Sequence, residues 1–262
     1  MSFIVFFGGF FGIAIWESFQ PRKLHIVPVR LRWTANISLG VINLALFGIL
    51  LPVSEFVRPD WIPSAAGDAW HWIGDSEVAT LLIAFLLLDL FNYIMHRLFH
   101  SVPPLWRLHL IHHADPEIDV STAVRHHPFE DFVGYAPVVL LAVAFGVPLA
   151  AISAYTLANS LVANIHHGNI RFPALLERVA AIFLVTPNVH RIHHSVDVSE
   201  GNSNFGAIFT VWDRLFGTFI SRSPPEHEQI EFGLRGFLGP QYCQLHRVLS
   251  MPFVGRDTRQ TI

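Results

Sequence analysis

Cysteine occurs once in these 262 residues, at Cys243, which excludes an internal disulfide framework and any zinc or iron–sulfur site built on thiolates. Charge is scarce as well. Asp, Glu, Lys and Arg make up 14% of the chain, against roughly a quarter in soluble domains. The formal net charge of -3, with histidine neutral, leaves no basic excess for nucleic acid, and that class of partner is set aside. No GxGxxG fingerprint and no fused haem-domain signature occur, so any reducing equivalents must come from another protein. Repeats of solenoid length, low-complexity tracts and flexible linkers are missing too.

Apolar residues are plentiful, at 52% of the chain, with a mean hydropathy of +0.44. Apolar stretches cover residues 3–16, about 35–51 and about 78–95, and the longer ones approach the ~20 residues that cross a bilayer. The first has no Lys or Arg before it and no small-residue cleavage site after it; it reads as a membrane helix, not a secretory signal. A fourth apolar region, residues 133–162, is interrupted by "FGVP" at 145–148. Gly and Pro break a helix there, leaving two limbs of about 14 residues that predict a hairpin returning to its own side. Arg22, Lys23, Arg30 and Arg32 crowd the stretch between the first two spans, whereas residues 52–77 hold only Arg58 among five acidic residues. The positive-inside rule therefore places the first loop, and everything after the third span, in the cytoplasm. The expected fold is all-α and integral to the membrane. It comprises about three transmembrane helices and a re-entrant or short helical hairpin, under a cytoplasmic helical cap. The whole of 1–262 reads as a single membrane-embedded domain, with N-terminal membrane helices (1–78), a catalytic region (79–220) and a cytoplasmic tail (221–262).

Histidine is the outlier, at 16 against 17 for Lys plus Arg. "HRLFH" places His96 and His100 at i and i+4, on one face of the helix leaving the third span. "HLIHH" carries His109, His112 and His113, and "HRIHH" repeats the spacing with His190, His193 and His194. On a helix each trio falls within about 100° of arc, so its rings can converge on one side. Convergent imidazoles without cysteine suit iron, zinc, copper or nickel. Eight such ligands are too many for one ion and predict two. "RHHPFE" adds His126 and His127, and "NIHHGN" adds His166 and His167. His127, before Pro128, reads as a ligand, as a group behind a ligand or as a turn residue. Carboxylates at Asp89, Asp115, Asp119, Glu130 and Asp197 flank the clusters and are candidates to orient the rings. Asp89 stands out as a candidate catalytic residue, because an ionisable group inside an apolar span is costly and usually functional. Asp213 and Arg214 read as an ion pair. His25, His71, His227 and His246 read as isolated surface or hydrogen-bonding residues.

The order HxxxH, HxxHH, "RHHPFE", "HHGN", "HRIHH", "NSNFG" (202–206) and "WDRLFGT" (212–218) resembles the fatty acid hydroxylase/sterol desaturase superfamily, over about residues 86–219. The resemblance implies an integral-membrane lipid hydroxylase or desaturase with two histidine-bound iron ions, replaceable by zinc during expression, and O2 as co-substrate. It implies ligands at His96, His100, His109, His112, His113, His167, His190, His193 and His194, with His167 favoured over His166; His127 completes the candidate set. It also implies a lipid substrate from the bilayer and a separate electron donor, cytochrome b5-like or ferredoxin-like with its reductase. The competing reading is a membrane metal-binding protein or transporter without redox chemistry. A catalytically dead membrane scaffold is a third, against which the complete ligand set argues.

Overall fold

The computed structural model describes residues 2–56, 70 and 76–254. Among the described residues the regular structure is helical, and extended pairing is confined to single bridges joining Leu184 to Phe209 and Ser195 to Phe232. Helix α1 spans Ser2–Phe19 and α2 spans Val29–Phe56. Helix α3, Glu77–Ser101, starts where the Ser76 side chain accepts from the Ala79 amide, a cap that satisfies an otherwise unpaired donor. It ends at Val102, held extended at φ -97° and ψ 113°, as a residue before proline prefers. Pro103 then opens α4, Pro103–His113.

The predicted break at "FGVP" is present. Helix α5, Pro128–Phe145, turns through Gly146, whose φ of 58° suits glycine, into α6, Leu149–His167. Both limbs are longer than the sequence suggested, since helix continues through Pro137 and up to the histidine pair. Short helices follow at Ala174–Ala180 (α7), Pro187–His193 (α8), Val198–Gly201 (α9) and Val211–Leu215 (α10).

Helix α3 is long and apolar enough to cross a membrane, and only 22% of its most apolar stretch is buried against the chain. The core helix of a soluble protein would be mostly covered. Helix α1 offers a shorter apolar stretch, with Ile4, Phe11 and Ile15 exposed. Helix α2 begins six residues earlier than the apolar stretch suggested, and this corrects the count of loop charges: Arg32 is a wholly buried helical residue. It donates to Asp115 at 2.6 and 3.0 Å and to Asp119 at 2.6 Å, tying α2 to the turn after α4. Around it Ala35 and Leu39 pack with Trp106, Leu110, Phe237 and Met251. Most of the acidic loop at 52–77, with His71, lies outside the described residues, as does the end of the tail beyond 254.

Candidate metal centre

Helices α3, α4, α6 and α8 deliver their histidines to one buried region. His96, His100, His109, His113 and His193 form one group, and His112, His167, His190 and His194 a second, each with its ligand atoms within 4.8 Å of one another. The trios do not converge as the helical arc suggested. His109 and His113, one turn apart, join the first group while His112 turns to the second; His190 and His194 join the second while His193 turns to the first. A step of about 100° per residue separates adjacent histidines enough to serve two centres.

Hydrogen bonds fix the ring directions. The Nδ1 of His96 donates to the Phe205 carbonyl at 2.9 Å, that of His193 to Ser203 at 2.7 Å and that of His167 to Ala163 at 2.8 Å. A carbonyl only accepts, so these rings carry their proton on Nδ1 and present a bare Nε2. The His109 Nδ1 lies 2.6 Å from a Glu130 oxygen, with the same effect. The Nε2 atoms nevertheless crowd together: His167 lies 3.1 Å from His112 and 2.9 Å from His190, and His194 lies 3.0 Å from His190. One ring proton on His190 cannot satisfy both its neighbours. In the first group the buried Nε2 atoms of His100 and His193 have no hydrogen-bond partner. Nitrogens that share an ion at ~2.0–2.1 Å stand roughly 3 Å apart, which is the spacing seen. The residues fit two metal ions.

Burial holds His112, His113, His190, His193 and His194 well below the ordinary imidazole range, so they are neutral, as ligands must be. A third group, His109, His126 and Glu130, needs no ion. Burial lowers the His126 pKa, but Glu130 more than reverses this and raises it to about 9, leaving a cation hydrogen-bonded to a carboxylate at 3.0 Å.

Several expectations are corrected. His127 stands outside both metal groups; its Nδ1 accepts from the Phe129 amide. Asp89 accepts from the Ile208 and Phe209 amides, Trp212 Nε1 and the Tyr155 hydroxyl. These bonds anchor the segment after α9 to α3 and give the buried carboxylate its partners. Of the flanking acids, Glu130 orients a ring, Asp115 and Asp119 hold Arg32, and Asp197 caps α9. Asp213 accepts from the Phe205 and Gly206 amides and the Thr218 hydroxyl, while Arg214 lies over the Phe219 ring and donates to the Ala181 carbonyl. The two are not an ion pair. Asp213 instead braces the "NSNFG" turn that presents carbonyls to His96 and His193. His166, passed over as a ligand, stacks on His190 at 3.9 Å between ring centroids.

The family model described as fatty acid hydroxylase matches residues 81–218, more than half of the chain. Among relatives, the ornithine lipid hydroxylase OlsE of Rhizobium tropici is 28% identical over 76% of this chain and 58% of its own length. An alkylglycerol monooxygenase of Danio rerio is 30% identical over 65% of this chain and 34% of its own. The human lathosterol oxidase is 28% identical over 56% of this chain and 47% of its own. The match thus spans between a third and three fifths of these relatives' lengths. No solved structure matches the chain significantly.

Proposed function

The chain belongs to the fatty acid hydroxylase family, within the fatty acid hydroxylase/sterol desaturase superfamily, and from that premise we propose that it is an O2-dependent, membrane-embedded lipid oxidoreductase holding two iron ions. The observation that carries the reading is the pair of buried imidazole groups whose Nε2 atoms face one another at 2.9 to 3.2 Å, with too few ring protons to pair them all. His96, His100, His109, His113 and His193 would hold one ion, and His112, His167, His190 and His194 the other. An alkyl C–H bond has no proton that a side-chain base can usefully remove, and the metal pair supplies activation of dioxygen in its place. The protein's own residues orient and exclude. Carbonyls of Ala163, Ser203 and Phe205 and the Glu130 carboxylate set the tautomer and direction of four rings. Burial keeps the imidazoles neutral and water away. Helix α3 crosses the bilayer with its apolar face outward and leads from the acyl-chain region to His96 and His100 at its end.

A transporter or metal-storage reading is less well supported, since transporters place their ligands near the bilayer midplane on broken helices. Here His96, His100 and His167 sit in the last turns of α3 and α6. The substrate is a sterol, fatty acyl or related lipid, and hydroxylation and desaturation begin with the same hydrogen abstraction. Electrons come from a separate cytochrome b5-like or ferredoxin-like donor on the cytoplasmic side. Elemental analysis of detergent-purified protein tests the centre: two iron ions per chain, or zinc in their place, are expected, and a reproducible single ion overturns the dinuclear reading. Lipid mass spectrometry of cells with and without the gene identifies the product.

A further inference from the structure

Among the described residues the largest wholly buried side chains are three arginines, Arg32, Arg125 and Arg191. Two of them are fully provided for. Arg32 is matched by Asp115 and Asp119, and Arg125 donates to the Ile111 carbonyl and to Asn36 at 2.7 and 2.8 Å. Arg191 is not. Its Nε and Nη1 are buried without a hydrogen-bond partner, and among the described residues no carboxylate lies within ion-pair distance of it. The nearby Glu228 is taken by Arg171 at 3.0 Å and Arg22 at 3.5 Å. A buried guanidinium left unpaired is a large penalty unless something else answers it.

Arg191 lines a cavity of about 280 Å³ that also meets Lys23, Glu117, Asn169 and Phe232. Arg191 and Lys23 both line it and lie 4.7 and 5.8 Å from the Phe232 centroid, and Lys23 Nζ also donates to the Ile230 carbonyl at 3.4 Å. The acids at the rim do not neutralise them. Glu117 is bound by His25 at 2.8 Å and by the Ile26 and Val27 amides, and Glu231 is exposed. Asn169 fixes the wall: it accepts from the Lys23 amide at 3.1 Å and donates to the Lys23 carbonyl at 2.7 Å. None of the histidines of the two metal groups lines this space.

We propose that this cavity is an oxoanion site, in which the Arg191 fork and the Lys23 ammonium bind a phosphate-class group, carried by a lipid head or free in solution. A guanidinium with no ion-pair partner suits an oxoanion, and Lys23 adds a point charge. Arg191 stands between His190 and His193 on α8, so the helix that carries it also carries a histidine of each metal group. A lipid head bound in the cavity would set how far along its chain the reacting carbon falls. The binding claim itself does not depend on the oxygenase reading, as it is read without turnover.

The test is calorimetric titration of detergent-purified full-length protein with inorganic phosphate at constant ionic strength, and in parallel with micelles containing phosphatidic acid or phosphatidylcholine alone. Saturable binding is expected, with Arg191→Gln weakening it by about tenfold or more, as loss of charge-assisted hydrogen bonds implies, and Arg191→Lys falling between. Metal content equal to wild type certifies that Arg191→Gln is folded; if it does not fold, Lys23→Gln, expected to bind more weakly than wild type, carries the test. Tighter binding of phosphatidic acid micelles than of phosphate assigns the site to a lipid head group, and equal binding assigns it to a free anion. No saturable binding in either arm, or binding unchanged in Arg191→Gln and Lys23→Gln, overturns the proposal.

Discussion

Glu130 bridges two imidazoles, His109 at 2.6 Å and His126 at 3.0 Å, and its loss separates orientation from ligation. Glu130→Gln keeps the shape but removes the charge that holds the His109 proton on Nδ1. A fall of about 10- to 100-fold in metal affinity or turnover is expected, the usual cost of losing a group behind a ligand. His193→Ala is expected to abolish turnover and lower bound metal while membrane insertion stays intact, whereas His127→Ala keeps the wild-type metal content. Equal metal loss in the two alanine variants would return His127 to the ligand set. Spacing alone made the histidine motifs legible, because i, i+3 and i+4 share a helix face whatever the tertiary context. Spacing was silent on their division between two groups, and on the choice between His126 and His127. The division is settled by neighbours distant in sequence, the carbonyls of Ser203 and Phe205 among them, and His126 is held by Glu130 one turn away.

Helices were more legible than their joints. "FGVP" announced the helix break because Gly146 and Pro148 are breakers on their own account, yet apolarity marked only the middle of α2 and missed its charged first turn. Arg32 there is answered by partners more than eighty positions away, which no local pattern records. Arg32→Ala should therefore destabilise the protein by about 3–5 kcal/mol, since it strands buried carboxylates; chemical or thermal unfolding in detergent measures this. The link also has a pH signature. Burial raises the Asp115 pKa, but Arg32 and Arg125 outweigh that and hold it down to about 2, from an ordinary 3.8. Its stabilisation is complete above about pH 4 and is lost as pH falls toward 2. The acid-induced loss of stability in that window should shrink in Arg32→Ala. Gly206 shows a joint of another kind: an added Cβ would stand 2.5 Å from the Phe209 carbonyl oxygen and 2.9 Å from Asp213. Gly206→Ala should loosen the turn that supports His96 and His193 and lower metal retention during dialysis against chelator.

At the scale of the whole molecule, the proposed function has electrons delivered by a separate protein, and the sequence carries no nicotinamide or flavin fingerprint. Purified enzyme given NADPH and oxygen alone should be inactive, and a cytochrome b5-type or ferredoxin-type donor with its reductase should restore turnover. The same proposal has the cap facing the cytoplasm, where the donor would reach it. Cys243 is a poor reporter of sidedness, because it is wholly buried and burial pushes its thiol up to about 11. An Arg235→Cys substitution at an exposed position, in a chain with Cys243→Ser, should escape an impermeant thiol reagent in sealed cells and react once the membrane is opened; labelling of sealed cells would invert the topology. The division of α4 and α8 between the two groups reaches further than ligand count. Each of these helices is a yoke across both centres, so the first ion to arrive aligns rings that the second will need and lowers the ordering entropy left to its binding. Uptake should then be steep and concerted, with native mass spectra dominated by empty and doubly loaded protein and the singly loaded species a minor population at every metal concentration.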